Sequence, residues 1–561
     1  MDFVRPLSDG AELNQIERWK LERHPLEVAA SVRDRYAHEG VESIAAIPGE
    51  FERLKWVGIY PQRQGGDAFM LRIKVPGGRL LAAQGARIGE LVDMFANGPQ
   101  AHPIWGDRYC DITTREDIQV HWLKIADIPE IWRKLEEVGL TSVQACGDTA
   151  RNVISCPVAG VDAEEVLDAS SIVRAVSRFF TGNREYANLP RKFKISITGC
   201  LDDCAQAEIN DIGLWPARLP DGSVGFNVLV GGGLSDGPRM ASDIDCFVAP
   251  DEAVECCRAI AQLYSELGNR ENRGQARMRY LVQELGPEVF RSELARRANF
   301  VLRPGGAALT RRYRGDHVGV HAQHEAGLFY VGCSVPVGRL SGRDLIDVAG
   351  LAANYGDGEI RLATDQNLVL TGVSGERVGE LLEEELFETY SPYPGPFSRG
   401  VVACTGSEFC RFAIVETKAR ALSWAKEMDR RFAGSFSSSD DTGQTPDDTI
   451  IRMHFSGCPA SCGQPQIADI GFRGETAHVG EQIVEAVDIG LGGSLGADAA
   501  FGRWVLGALP VSDVPDALGR VVHRYLSERR VGEQFHAWAR RNDLDELDAT
   551  LVGTPSVGTM P

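Results

Sequence analysis

The sequence predicts an internally duplicated α/β (α+β) fold, in which a small half-domain followed by a larger α/β domain occurs twice. Three observations lead there. TGCLDDCAQAEINDIG (Thr198–Gly213) matches SGCPASCGQPQIADIG (Ser456–Gly471), so that Cys200 and Cys458, like Cys204 and Cys462, stand 258 positions apart. Upstream, WVGIYPQ (Trp56–Gln62) returns as HVGVHAQ (His317–Gln323), and VPGGRL (Val75–Leu80) returns as VPVGRL (Val335–Leu340). The glycine runs Gly231–Gly233 and Gly492–Gly493 also correspond. Self-similarity of this kind is the mark of a repeated architecture.

Residues 1–48 are polar with irregularly placed apolar residues and read as an N-terminal helical extension. Strand-like alternation begins at Trp56 and continues through FMLRIKV (Phe69–Val75) and DITTREDIQVHW (Asp111–Trp122), giving a first half-domain over 49–125. Helical spacing from Ile128 opens the first larger domain, 126–300, and the polar stretch LGNRENRGQA is a linker within it. The second half-domain spans 310–385, the second larger domain 390–545, and a C-terminal tail 546–561. Residues 434–448, GSFSSSDDTGQTPDD, are poor in apolar side chains and read as a surface loop.

Bulk composition narrows the class. A chain of 561 residues with 43% hydrophobic and 25% charged residues is that of a soluble globular protein of several domains. No apolar run reaches the roughly eighteen residues that a membrane span needs. Met1–Gly10 lacks a basic-then-apolar pattern, so no secretory leader is expected. Thirteen cysteines without a dense framework fit a reducing compartment, and a cytoplasmic location is expected. A net charge of −20 argues against nucleic acid as a general partner. No G-x-G-x-x-G segment occurs, so neither a flavin nor a nicotinamide site is expected.

The chemistry concentrates in two places. Cys404 and Cys410 form a C-x5-C pair, and Cys458 and Cys462 form a C-x3-C pair ahead of the apolar Ile467, Ile470 and Phe472. Four thiolates suffice for an iron–sulfur cluster or a zinc ion, although these spacings are not the C-x2-C knuckle of ordinary structural zinc. In the first repeat the same offset sets Cys146 opposite Cys404 and Asn152 opposite Cys410. Only three thiols, Cys146, Cys200 and Cys204, would then remain there; they read as retained core residues except Cys146, which lies five residues before the candidate active-site Arg151. The first repeat instead carries Arg72, Arg151, Lys192 and Lys194. On a strand, Lys192 and Lys194 point to one face and Phe193 to the other. The second repeat lacks this set: Gly332 replaces Arg72, and Ile450 stands opposite Lys192.

CTGSEFC (Cys404–Cys410) with ETK (Glu416–Lys418), together with GCPASCGQ (Gly457–Gln464) and ADIG (Ala468–Gly471), resembles the cluster-binding segment of ferredoxin-dependent nitrite and sulfite reductases. The similarity runs from about Glu52 onward. These enzymes hold siroheme and a [4Fe-4S] cluster, and the resemblance implies two ferredoxin-like half-domains plus two larger siroheme/[4Fe-4S] α/β domains. Cys404, Cys410, Cys458 and Cys462 would be the cluster ligands, with Cys462 bridging to the siroheme iron. Arg72, Arg151, Lys192 and Lys194 match the substrate-side positions, and Thr114, Arg115, Gln119 and Arg191 match positions that hold the macrocycle. Asp117 stands where relatives often have a neutral residue. Tyr60 and Cys146 match a pair that is cross-linked in some relatives. One repeat would thus supply the substrate pocket and the other the cluster, with the siroheme between them.

The implied reaction is the assimilatory six-electron reduction of nitrite to ammonia with electrons from ferredoxin, on a monomer. Reduction of sulfite to sulfide is the alternative, since a second ammonium at Lys194 suits a more highly charged anion. Such chemistry needs arginine as a fixed multi-donor clamp and lysine as a proton source. Arg411, Lys418, Arg420 and Lys426 are candidates for a basic ferredoxin-docking patch. Two other classes compete: a zinc-stabilised binding protein built on the same four cysteines, and an oxygenase of corrin synthesis, whose sequence should lack the full Arg72, Arg151, Lys192 and Lys194 set.

Overall fold

The computed structural model describes residues 12–310, 316–436, 450–496 and 498–553. Most of the 434–448 segment therefore lies outside the described residues. The chain forms two compact units: one holds most of the chain up to Glu388, and the other holds Thr389 onward together with the short stretches Leu234–Asp236 and Cys333–Gly338.

In the first unit the strands run β1 (Ile59–Pro61), β2 (Phe69–Ile73), β3 (Arg79–Leu81), β4 (Tyr109–Ile112) and β5 (Ile118–Leu123). There follow β6 (Ala150–Ile154), β7 (Phe193–Ile197), β8 (Ile212–Arg218), β9 (Val224–Val230), β10 (Ser242–Val248) and the short β11 (Ala307–Ala308). The second half-domain adds β12 (Gly319–Ala322), β13 (Leu328–Cys333), β14 (Arg339–Ser341), β15 (Glu359–Leu362) and β16 (Leu368–Ser374). The second unit holds β17 (Val401–Ala403), β18 (Met453–Ser456), β19 (Ile470–Val479), β20 (Gln482–Leu491) and β21 (Arg503–Pro510).

The half-domain sheets have the orders β1-β2-β5-β4-β14 and β12-β13-β16-β15-β3, so each donates its short third strand to the other. A three-residue strand buries too little to hold its place alone. Each is fastened by the arginine of its VP-x-GRL motif. Arg339 donates from Nε to Asp111 Oδ1 (2.7 Å) and from its terminal nitrogen to Oδ2 (3.1 Å), while its guanidinium lies 4.3 Å from the Tyr109 ring centre. Arg79 makes the matching fork to Glu359 at 2.7–3.1 Å. The exchange leaves no room in the turn before β3. A Cβ on Gly78, which has φ +67°, would sit 2.2 Å from the Leu362 carbonyl oxygen. The helices that follow, Ala82–Phe95 and Gly342–Tyr355, touch through small residues; a Cβ on Gly89 would meet the Gly342 carbonyl at 2.5 Å.

The two larger sheets repeat one topology. β6-β7-β8 and β17-β18-β19 are parallel, and each is extended by two antiparallel strands, β9-β10 and β20-β21. In the first, Val173, Val176, Ile260 and Leu263 from the helices Ser170–Phe180 and Ala253–Leu267 pack with Ile195, Leu214 and Val228. In the second, Trp424 of the helix Lys418–Arg431 stacks on Phe455 with centroids 5.2 Å apart.

The N-terminal extension is helical in short pieces interrupted near Pro25 and Gly40. Its buried Lys20 donates to the Leu189 carbonyl at 2.9 Å and so ties the extension to the first larger domain. At the other end the chain does not trail off at 546. Asp543 caps a helix over Leu544–Val552 that buries Leu547 and Leu551. Among the described residues no helix is long and apolar enough to cross a membrane.

The exchange makes a measurable prediction. Arg339 and Asp111 are 0% and 2% exposed at the side chain, so Arg339→Ala takes the guanidinium away from a buried carboxylate that keeps His121 at 3.1 Å. The expected loss is about 3–5 kcal/mol, read as a lower urea midpoint for the first unit. The paired change Arg339→Met/Asp111→Leu should recover most of it. An unchanged midpoint in Arg339→Ala would show that the fork does not hold β14.

Candidate active site

The catalytic side chains proposed from sequence gather on the first unit, around the edge formed by β1, β2 and the carboxyl or amino ends of β5, β6 and β7. Arg72 on β2 pairs in register with Gln119 on β5, and its guanidinium lies 5.8 Å from the ring centre of Tyr60 on β1. The Tyr60 hydroxyl hydrogen-bonds with Cys146. Burial pushes that hydroxyl well above its ordinary pKa and the neighbouring thiol adds to the effect, while Arg151 and Arg72 oppose it. Arg151 on β6 donates from Nε to the Gly147 carbonyl at 2.9 Å, which braces the Cys146 loop. Gly147 itself, at φ +90°, lies so close to Trp56 that a Cβ would be 2.6 Å from the indole.

Arg115 and Thr114 lie on the turn between β4 and β5, where the Thr113 hydroxyl accepts from the backbone N–H groups of Arg115 and Asp117 at 3.2 and 3.1 Å. The Arg115 guanidinium donates to Asn210 Oδ1 (2.8 Å) and to the carbonyls of Asn152 and Ile195, whereas its buried Nε finds no partner. Burial lowers Arg115 to about 10.

Asp117, the departure noted in the sequence, lies among the cations of this site. It is 1% exposed and lies within the fields of Arg72, Arg115 and Lys74; burial raises its carboxyl to about 6 against those three cations. Lys74 falls to about 8, again chiefly by burial.

On β7, Phe193 stacks on Tyr264 at 5.6 Å on the core side, while Lys192 and Lys194 are both half-buried. Burial drives Lys194 well below the ordinary lysine range, and Arg115, Lys192 and Arg277 drive it further, opposed by Asp211. Asp211 is itself committed to Arg277 at 3.1 Å and to the Lys194 backbone N–H at 2.9 Å. Neither Arg277 nor Asp211 stands out in the sequence, because Asp211 reaches the site through the β7–β8 pairing and Arg277 through its ion pair with Asp211. Arg191 is placed at the same edge, where one nitrogen donates to Asp148 at 3.3 Å. Asp148 is also paired with Arg273 and lies 3.6 Å from Lys20; these cations hold its carboxyl far below the usual range despite burial.

Like charges crowded in this way call for an anion, and a macrocycle rich in carboxylates with a small oxyanion beside it is a group of that chemistry. The residues present fit siroheme.

The second unit brings the four sequence-predicted cysteines together. β17 and β18 are parallel neighbours, and Cys404 and Cys458 follow their carboxyl ends directly. Cys410 closes the turn after Cys404, and Cys462 lies in the loop after Cys458. Cys404 and Cys458 each feel the charge of both Cys410 and Cys462. Three of the four are half-buried and Cys462 is exposed, as the outermost ligand would be. Burial raises Cys404 to about 12 and Cys458 to about 11, so these thiols wait for a metal to deprotonate them.

The Gly457 N–H donates to Cys404 Sγ at 3.2 Å, the kind of contact that tunes a cluster's potential. The loop needs glycine at 463, where a Cβ would sit 2.2 Å from the Phe455 carbonyl oxygen. A [4Fe-4S] cubane takes four thiolate ligands, and these four cysteines supply that number and kind of donor.

Two expectations change. The basic docking patch is reduced: Lys418 is buried and donates to the Val337 carbonyl, and Arg420 pairs with Glu485. Arg411 and Lys426 remain exposed. The equivalence of Cys146 with Cys404 also fails. Ile195 and Met453 are repeat partners; Ile195 pairs with Val153 and Met453 with Val401. Strand register therefore sets Cys156 opposite Cys404, and Asp162 rather than Asn152 opposite Cys410. The connection between β17 and β18 is longer than that between β6 and β7, so a constant offset cannot hold on both sides of it. SCPVAGVD, with its C-x5-D, carried the signal.

Comparison with known proteins agrees with this geometry. The model of the nitrite and sulphite reductase 4Fe-4S domain matches residues 146–302 and 395–554, and that of the nitrite/sulfite reductase ferredoxin-like half domain matches 60–138 and 321–386. The assimilatory ferredoxin-dependent nitrite reductase of Haloferax mediterranei is 40% identical over 558 residues, covering 95% of this chain and 92% of that protein. A sulfite reductase [ferredoxin] of Mycolicibacterium paratuberculosis is 35% identical, covering 96% and 97% respectively. The solved structure of the Mycobacterium tuberculosis NirA protein superimposes with a TM-score of 0.87 at 33% identity, over 95% of this chain and 97% of that one. With the duplicated sheets, the four-cysteine loops and these matches in agreement, the chain belongs to the nitrite and sulfite reductase family, with paired ferredoxin-like half-domains and 4Fe-4S domains.

Proposed function

We propose that this protein is an assimilatory ferredoxin-dependent nitrite reductase, carrying nitrite to ammonia with siroheme and a [4Fe-4S] cluster. The observation that carries the reading is the presence of a four-cysteine cage on one repeat and a crowded cationic site on the other. When bound, the siroheme iron supplies the coordination position for the anion and the cluster supplies its electrons. Cys404, Cys410, Cys458 and Cys462 would hold the cluster, and Cys462 would also serve as a siroheme ligand. Thr114, Arg115, Gln119 and Arg191 hold the macrocycle.

The protein's own work is to clamp the anion and deliver protons. Arg72 and Arg151 orient the anion's oxygens through a planar, multi-donor fork. Lys192 and Lys194 supply protons as oxygen departs as water. The crowding that destabilises the Lys194 ammonium makes that proton easier to give up, and a bound anion offsets part of the same crowding. Tyr60 and Cys146, already in contact, are the pair proposed for a thioether; a two-electron oxidant such as dioxygen would take up the two hydrogen atoms lost from the ring C–H and the thiol, so the joined peptides would be lighter than their sum by two hydrogen atoms.

Ferredoxin is the donor, and Arg411 with Lys426 remains as the basic part of its docking surface. A reducing, cytoplasmic setting is proposed from the spread of thirteen cysteines along the sequence without a dense framework. We read the protein as a monomer. Sulfite reduction is the second reading, favoured by Lys194 and by the similarity to the mycobacterial sulfite enzyme.

Turnover with reduced ferredoxin separates the two. Nitrite should give the higher kcat/KM, and a clear preference for sulfite would reverse the assignment. Lys194→Asn should lower sulfite kcat/KM at least about tenfold more than nitrite kcat/KM, the loss expected when one charged hydrogen bond is removed. Equal losses would show that this lysine does not discriminate. Mass analysis of linked proteolytic peptides tests the thioether: a Tyr60–Cys146 species is expected in wild type and absent in Cys146→Ser.

A further inference from the structure

The first repeat holds a second gathering of soft ligands, separate from the four-cysteine cage. The sulfurs of Cys156, Cys200 and Cys204 and one imidazole nitrogen of His317 lie within 4.8 Å of one another. All four are buried, at 2%, 4%, 3% and 9% exposure. Cys156 Sγ is 3.4 Å from His317 Nε2, and the other ring nitrogen, Nδ1, is 3.4 Å from the Tyr330 hydroxyl. Around them stand Val158, Ala159, Val161 and Val369.

The strand register explains the set. Cys156, Cys200 and Cys204 occupy the positions that Cys404, Cys458 and Cys462 occupy in the other repeat, so the first copy of the loop pair keeps three of four ligands. The fourth position has become Asp162, whose Oδ2 lies 3.7 Å from Cys200 Sγ. His317 enters from the second half-domain to complete the four. Its approach depends on Gly332, where a Cβ would stand 1.8 Å from the His317 carbonyl oxygen.

We propose that Cys156, Cys200, Cys204 and His317 bind a single tetrahedral metal ion of the zinc class, as a closed structural site. Three thiolates and one imidazole are a recurrent zinc set, with Zn–S about 2.3 Å and Zn–N about 2.0–2.1 Å. Sulfurs at about 2.3 Å from a common centre stand roughly 3.8 Å apart, so the observed spacing needs only a slight contraction. A cubane would instead have to push the ligands apart within a packed apolar shell. The Tyr330 hydroxyl is the partner that fixes the tautomer of a metal-bound imidazole. All four positions are protein ligands, which leaves no open site for chemistry. The ion would fasten the ends of β6 and β7, the strands that carry Arg151 and Lys194, to the second half-domain.

The test uses full-length holoenzyme prepared without chelators or a metal-affinity step. Elemental analysis should find about one zinc per chain besides the iron, and X-ray absorption at the zinc edge should show three sulfur and one nitrogen neighbours at the distances above. Cys200→Ser and His317→Ala should lose the zinc, whereas His317→Cys, which restores a fourth soft ligand, and Cys246→Ser, a buried thiol elsewhere, should keep it. If the loss variants do not fold, the wild-type stoichiometry and zinc edge decide alone. Wild-type protein that takes up no zinc even after anaerobic incubation with the ion would overturn the site, as would undiminished zinc in both loss variants. Extra iron and sulfide that vanish in Cys200→Ser would overturn the single-ion assignment in favour of a second cluster.

Discussion

Gathering like charges in a protein interior is unfavourable unless a group of opposite charge is held among them. That constraint governs both functional ends of this chain. Burial and the nearby Arg115, Lys192 and Arg277 push the Lys194 ammonium down, although Asp211, paired with Arg277, opposes them and Asp117 lies in the fields of Arg72, Arg115 and Lys74. In the other unit four thiols face one another at two strand ends, and burial keeps Cys404 and Cys458 from ionising unaided. An anionic macrocycle and its substrate relieve the first, and iron relieves the second. The protein is therefore built around groups it must acquire.

The scaffold answers that need with one device used twice. Two parallel strands end side by side, and the loops that follow them carry the chemistry: Cys404 and Cys458 after β17 and β18, Cys156 and Cys200 after β6 and β7. Parallel strands deliver loops to one edge, where backbone amides and side chains can converge on a ligand. After duplication the two copies diverged. One kept all four thiols. The other turned its strands to presenting arginine and lysine, and kept three thiols in the company of a histidine. The exchanged strands β3 and β14, each fastened by an arginine fork, lock the two half-domains together within the first unit.

Much of this is legible in the sequence because cysteine pairs and arginine-bearing turns survive duplication as short, exact strings. The C-x3-C loops, the VP-x-GRL motifs and the K-x-K strand all point to the elements found. The strand exchange is not legible, since β3 and β14 are three residues each and carry no signal of which sheet they join. The match of Cys156 to Cys404 escapes a constant offset because a connection of different length intervenes. Lys418 reads as a surface lysine and is instead buried, its ammonium held by a backbone carbonyl that only the fold brings near. Asp117 looks anomalous beside related sequences until the three cations around it are seen.

The absorption spectrum of anaerobically isolated protein, taken with iron and acid-labile sulfide analysis, tests most directly whether one polypeptide holds both siroheme and a [4Fe-4S] cluster. Tetrapyrrole bands with about five irons and about four sulfides per chain are predicted, four irons in the cluster and one in the macrocycle. A folded protein that is colourless and free of labile sulfide would contradict it.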